Sequence, residues 1–327
     1  MQKLISDFTE HLKEALEIGA SHTFHNKGKK FDNILICGLG GSGIGGTIIS
    51  QLLKPISNLP ILVNKDYSIP AFVDEKTLVI ACSYSGNTEE TLSMVDAALA
   101  EQAEVCFITS GGKCAETARA KQLNYIQIPP ELPPRAAFGY SFPQLFFALE
   151  KYGIIAHPFV EEIKDAIKLL DHDEEFIKAE AKDIAKILLG KIAVIYSDSR
   201  FEGVATRLRQ QINENSKMLC WHHQIPEMNH NELVGWRTKN SDLVPVFITS
   251  QNDFYRNVER TLYSRKVMID YVDEIVEIKA KGETALIESL YLIHLGDWIS
   301  WYLADEKGID AVEVNVISGL KEMLGKI

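Results

Sequence analysis

The stretch Asn33 to Leu53, NILICGLGGSGIGGTIISQLL, decides how the rest of the chain is read. A short apolar run, Ile34 to Cys37, meets a glycine-crowded turn and then an apolar-periodic segment. That order predicts a buried strand, a tight loop and a helix. Gly38, Gly40, Gly41 and Gly43 leave the backbone bare, which lets amides approach a ligand closely. A helix starting near Ser42 to Ile44 turns its positive end toward the loop, so the expected guest is an anion, a phosphorylated compound. The spacing Gly38-x-Gly40-x-x-Gly43 also matches the dinucleotide fingerprint, with Asp66 at the end of the next strand available to a ribose. Both readings stand at this point.

Working outward, strands and helices alternate. Ile61 to Tyr67 reads as a second strand and Thr77 to Cys82 as a third, followed by a turn at Ser83 to Thr88 and a helix. Ala103 to Gly112 reads as a strand ending in a small-residue loop, and Asn124 to Pro129 as one more strand. A proline-rich loop, PPELPPRAAFGYSF, then leads to an apolar helix from Pro143 to Tyr152. The charged stretch 157–190 reads as two helices. From Lys191 the order repeats: strand, turn and helix, then strand, serine turn and helix from Leu243. A last strand, loop and apolar helix from Asp273 match the segment Tyr125 to Gly153. The expected architecture is therefore α/β, two tandem copies of one unit, each a mostly parallel sheet flanked by helices. The expected domains are 1–153 and 154–327.

The whole chain sets bounds on function. With 327 residues, 46% hydrophobic and 24% charged, it has the balance of a globular protein of two ordinary domains. A formal net charge of −11 argues against general nucleic-acid binding, which needs excess Lys and Arg. The five cysteines show no CxxC spacing, so buried reduced thiols are expected rather than disulfides or a metal site. Leu4, Ile5, Phe8, Leu12 and Leu16 fall on one face of an opening amphipathic helix, not a signal peptide. No apolar run approaches membrane-spanning length. A soluble, cytoplasmic protein is expected.

Two clusters carry chemistry. Ser83, Ser85 and Thr88, in SYSGNT at a strand-to-helix turn, combine with Ser42 to offer hydroxyls and helix amides to a single phosphoryl group. The alternative is that Ser85 or Thr88 only caps the next helix, with Glu89 or Glu90 closing a capping box. The second cluster is Asn213 to Trp236, NENSKMLCWHHQIPEMNHNELVGW. Glu214 near a helix end and His230 in a loop form the carboxylate and imidazole pair that moves protons on carbon and oxygen. His222, His223, Glu227 and His230 are also metal-ligand types, though their spacing fits no common zinc pattern, and a histidine in a polar loop is often only solvated. Arg135, the one cation in the stiff proline-rich loop, suits a developing enolate, or a structural tie to a carboxylate. Lys321, on a short terminal helix, is of a type that usually faces solvent.

GGSG at 40–43, SYSGNTEET at 83–91, PPRAAFG at 133–139, NENSK at 213–217 and PEMNHNELVG at 226–235 together resemble the bifunctional phosphoglucose/phosphomannose isomerases, two-domain proteins of the sugar isomerase (SIS) superfamily. The resemblance runs over nearly the whole chain, and it implies two tandem SIS-type domains. Glu214 would then be the base moving a proton between C1 and C2 of an open-chain hexose 6-phosphate. His230, from the partner subunit, would help open the ring, and Lys321 would assist at the ring oxygen. Arg135 would stabilise the cis-enediolate, and Gly41, Ser42, Ser83, Ser85 and Thr88 would hold the phosphate. The resemblance further implies a homodimer with a shared site and no metal or redox cofactor. Gly308-Ile309-Asp310-Ala311-Val312 departs from the family's Gly-x-Asp-Pro, which bears on the choice between glucose and mannose substrates. The alternatives are a sugar-phosphate-binding SIS regulator without catalysis, and an NAD-dependent oxidoreductase.

Overall fold

The computed structural model describes residues 1–25 and 28–326. In chain order the first elements are α1 (Gln2–Ser6), α2 (Phe8–Ser21), β1 (Asn33–Cys37), α3 (Gly40–Leu53), β2 (Ile61–Asn64), β3 (Thr77–Cys82), α4 (Glu89–Ala100), β4 (Glu104–Thr109), α5 (Gly112–Lys121), β5 (Asn124–Gln127) and α6 (Phe138–Lys151). They are followed by α7 (Phe159–Leu188), β6 (Ile192–Asp198), α8 (Glu202–Ser216), β7 (Trp221–Ile225), β8 (Leu243–Thr249), α9 (Tyr255–Met268), β9 (Val276–Lys279), α10 (Ala285–Glu306) and α11 (Asn315–Leu324). The chain divides into two compact units. The first comprises Ser6–His172 with Lys281–Tyr291, and the second Met1–Ile5, Asp173–Ala280 and Leu292–Ile327.

The first unit is built on a parallel sheet of order β2-β1-β3-β4-β5. β3 is buried at every position, as expected of a central parallel strand with both faces covered. Leu35, Cys37, Val79, Ala81, Val105 and Phe107 pack against Met94, Val95 and Ala98 of α4 and Cys114 and Ala118 of α5. On the opposite face Ile36 lies under α3, where an added methyl at Gly46 would stand 2.7 Å from its side chain. α2 packs on α6, with Gly139 beneath Phe8 and His11.

The second unit repeats the parallel arrangement with order β7-β6-β8-β9. Val194, Tyr196, Ile225, Met228, Trp236, Phe247, Met268 and Val272 form the core on one face. α8 lies against α10, where Leu208 covers Gly296. β9 sits beside β8, as β4 sits beside β3, although its sequence context matches β5. No helix among the described residues is long and apolar enough to cross a membrane.

Several expectations are corrected. The stretch 157–190 holds one 30-residue helix, α7, not two. The helix itself contains no Gly or Pro, and pairs such as Lys164–Glu161 and Lys186–Asp183 lie one turn apart along it. α6 begins at Phe138 rather than Pro143, and Pro143 lies inside it. The buried Phe142, Leu145 and Phe146 hold the helix through the hydrogen bond that proline removes. β2 stops at Asn64, whose side-chain amide donates to the Ser68 carbonyl at 2.6 Å and turns the chain. The opening helix is interrupted at Asp7. Residues 221–225 form an edge strand, β7, in a stretch too polar to announce one.

Candidate functional site

Sheet order β2-β1-β3-β4-β5 reverses direction between β1 and β3, and a ligand crevice in such sheets opens at that point beyond the strand ends. The glycine loop follows β1 and the Ser83–Thr88 turn follows β3. α3 begins at Gly40, earlier than its sequence suggests, and its cap Leu39 gives it no side-chain hydrogen bond. The glycines divide the work. A methyl at Gly43 would sit 2.1 Å from the Gly38 carbonyl oxygen, and one at Gly38 would sit 2.7 Å from that of Cys82. These two serve the packing of the turn, whereas Gly40 faces open space.

The hydroxyls are tied together. Ser42 Oγ accepts from the Tyr84 amide at 3.0 Å, which leaves the Ser42 proton for a guest. Ser83 Oγ and Thr88 Oγ1 lie 2.9 Å apart. Thr88 stands at the N-cap of α4 but makes no side-chain cap, so plain capping does not account for it. Ser85 is exposed, and its hydroxyl accepts from the Asn87 amide at 3.2 Å. Gly86 holds the turn at φ +69, and a methyl there would strike the Gly111 carbonyl oxygen at 1.8 Å. The Thr109–Gly112 loop therefore closes directly over it. Arg135 is buried in the 3-10 turn Pro134–Ala137 and its backbone abuts Gly41. The first unit thus brings together Gly41, Ser42, Ser83, Thr88 and Arg135.

Glu214, His230 and Lys321 belong to the second unit. Glu214 is half-buried in the last turn of α8, and its neighbours in sequence are anchored. Arg207 and Gln211, one turn apart, both donate to the Asp297 carboxylate of α10 at 2.7 Å. Asn215 donates to Ser300 Oγ at 2.9 Å, and Ser216 Oγ to the Ser300 carbonyl at 2.7 Å. Asn213 donates to the Met218 carbonyl at 2.7 Å. Lys217 ends the helix at φ 50 and reaches the Asp310 carbonyl at 2.7 Å, while Lys307 donates to the Ser216 carbonyl at 2.8 Å. Lys307 places a positive charge on the negative end of α8.

His230 is exposed on the 3-10 turn Glu227–His230, which follows the cis Ile225–Pro226 bond. Lys321 is exposed on α11. Asn229 donates to Ser264 Oγ at 2.8 Å, and Asn231 to Glu227 at 2.9 Å. Sequence reasoning missed Glu232. Its carboxylate accepts from the Tyr196 hydroxyl, from Trp221 Nε1 at 3.3 Å and faces His223 Nδ1 at 2.8 Å. Trp236 Nε1 in turn donates to the Tyr196 hydroxyl at 3.0 Å. Burial and the Glu232 carboxylate push the Tyr196 phenol far above its ordinary pKa, so it stays a donor. The place of Glu232 directly after the triplet Asn229-His230-Asn231 was its signal in the sequence. His222 meets Thr206 Oγ1 at 2.9 Å, and the described residues contain no His, Cys, Asp and Glu group arranged to hold a metal.

Residues 29–152 match the SIS domain model, and residues 177–324 match the model for the bacterial phospho-glucose isomerase C-terminal SIS domain. The chain is 37% identical to a bifunctional phosphoglucose/phosphomannose isomerase from Caldicellulosiruptor bescii, over 100% of this chain and 99% of that protein. The chain belongs to the bifunctional phosphoglucose/phosphomannose isomerase family. Another relative of this family member is a D-glucosamine-6-phosphate 4-epimerase from Sulfolobus acidocaldarius, 32% identical over 97% of this chain and 97% of that one. In fold, the bifunctional-isomerase chain is similar to the C-terminal domain of glucosamine-fructose-6-phosphate aminotransferase from Francisella tularensis, with TM-score 0.78, 15% identity, and coverage of 95% and 97%.

Proposed function

We propose that the protein is an aldose–ketose isomerase that interconverts glucose 6-phosphate and mannose 6-phosphate with fructose 6-phosphate. The hydroxyl set Ser42, Ser83 and Thr88 at the β1–β3 reversal carries the reading, because it suits one phosphoryl group rather than a dinucleotide. The full-length likeness to the Caldicellulosiruptor protein supplies the substrate class.

In this reading Gly41, Ser42, Ser83, Ser85 and Thr88 grip the phosphate. His230 and Lys321 open the ring, the histidine reaching in from a second copy of the chain. Glu214 takes the C2 proton of the open-chain aldose. The C–H electrons form a C1–C2 double bond, and the carbonyl oxygen takes up charge that Arg135 stabilises. The hydroxyl proton passes from O2 to O1, which moves the charge to O2. Its electrons then form the C2 carbonyl as C1 takes the proton back from Glu214, and the ketose results. The bracing of α8 supports a base held in one place, and the exposure of His230 suits a residue lent to a partner. A cytoplasmic location accords with the five free thiols.

A second reading, C4 epimerisation of an amino-sugar phosphate, rests on the likeness to the Sulfolobus protein. The deciding experiment offers glucose, mannose, fructose and glucosamine 6-phosphates in turn in D2O, with and without chelator, and follows products by NMR. Aldose–ketose interconversion with deuterium at C2 is expected. No turnover of the three hexose phosphates, or only a C4 epimer of the amino sugar, would sink the isomerase reading.

A further inference from the structure

Tyr84 sits inside the Ser83–Thr88 turn but holds none of the roles above, and it is buried at 7% exposure. Separate segments converge on it. Its amide donates to Ser42 Oγ at 3.0 Å, and its carbonyl accepts from the Ser110 amide at 2.9 Å and from Ser110 Oγ at 2.6 Å. Its phenol donates to the Pro129 carbonyl at 2.9 Å and accepts from the Leu132 amide at 2.9 Å.

The two phenol bonds bracket Glu131, which stands at φ 72. A residue with a Cβ pays about 1 kcal/mol or more to stay in that left-handed region, so the bend needs outside support. Pro133 and Pro134 follow directly, and their rings fix φ, so the position imposed at Leu132 passes to Arg135 through few free torsions. On its other side the Arg135 backbone is pressed against the glycine loop, since a methyl on Gly41 would lie 3.1 Å from Arg135 N and Cα. One tyrosine therefore joins the phosphate hydroxyls to the loop that carries the buried guanidinium.

We propose that Tyr84 is a positioning residue: its hydroxyl clips the 129–132 bend and sets Arg135 in register with the phosphate-binding hydroxyls. The inference rests on the isomerase reading and on the role given there to Arg135. A hydroxyl that served only to stabilise the unit would act on folding and leave Arg135 out of account.

Tyr84→Phe keeps the ring and both backbone contacts and removes only the clip. Its kcat is expected to fall about tenfold, the scale of a modest misplacement of a charge-stabilising group. KM and the dissociation constant of glucitol 6-phosphate, an open-chain phosphate with no carbonyl, should stay within about twofold, because the grip on phosphate is untouched. In an Arg135→Ala background the same substitution should change kcat by less than about twofold, since the group being positioned is gone. Adding Glu131→Gly to Tyr84→Phe, which lets the bend hold its shape without strain, should restore kcat about threefold.

An equal loss in both backgrounds, full activity of Tyr84→Phe, or no recovery with Glu131→Gly would overturn the clip. Failure of the isomerase reading would be seen separately, as a wild-type protein that turns over no hexose phosphate, and the inference would fall with it.

Discussion

Nδ1 of His223 lies 2.8 Å from the Glu232 carboxylate, so a residue of the edge strand β7 is tied to the turn just beyond His230. The same carboxylate accepts from the Tyr196 hydroxyl and from Trp221 Nε1. Glu232→Ala would leave the buried Tyr196 hydroxyl without its acceptor, at a cost of about 1–3 kcal/mol. A lower urea midpoint is expected, together with a fall in kcat as the segment carrying His230 loosens. Unchanged midpoint and rate would mean that the convergence on Glu232 does not hold the turn.

Glu214→Gln keeps the shape of the side chain and removes its basicity. The neighbours Asn213, Asn215, Ser216 and Lys217 keep their hydrogen bonds, so the fold should be unaffected. Turnover is expected to fall by about 10² to 10⁴, the usual worth of a general base, with sugar-phosphate binding intact. Mixing Glu214→Gln with His230→Ala chains under subunit exchange should restore part of the activity if the histidine is lent across a dimer. Absence of rescue would place both residues in one chain.

The first unit was largely legible because its signals are local. A short apolar run ending in glycines reads as strand and turn, and β3 occupies Thr77–Cys82 as its uninterrupted apolar pattern indicates. α7 was harder, since charged residues in mid-helix look like a break although the ladder of pairs such as Lys168–Asp165 runs on. β7 was missed because an edge strand need bury few side chains, and Trp221, His222, His223 and Gln224 carry no alternation of apolar residues. Glu232 and Tyr84 were missed for a deeper reason. The partners that give them their roles lie far off in sequence, Tyr196 for Glu232 and Pro129 and Leu132 for Tyr84, and no periodicity in the sequence marks such convergence.

Ser42→Ala tests the phosphate grip. It removes the acceptor of the Tyr84 amide and the hydroxyl that the isomerase reading gives to the phosphate. A hydrogen bond to a charged group contributes about 1.5–3 kcal/mol, so KM should rise at least about tenfold. Because the phosphate is held alike in ground and transition states, kcat should change far less than KM. A variant with unchanged KM would remove Ser42 from the phosphate site.

His11 makes the stability of the first unit depend on pH. Its ring lies 4.6 Å from that of Tyr140, and its Nδ1 is buried with no hydrogen-bond partner among the described residues. Burial lowers its pKa below the ordinary 6.5, and the nearby Asp7, Glu14 and Glu10 offset only part of that effect. The folded protein therefore binds a proton at His11 less readily than the unfolded chain does. The resulting stabilisation is fully present above pH 6.5 and is lost as the pH falls through the depressed folded value. His11→Phe keeps an aromatic ring against Tyr140 and cannot titrate. Its denaturation midpoint should be flatter than that of the wild type as the pH is lowered from neutral through 6.5 and below. Parallel curves for the two proteins would show that His11 titrates alike folded and unfolded, and that burial does not hold its ring neutral.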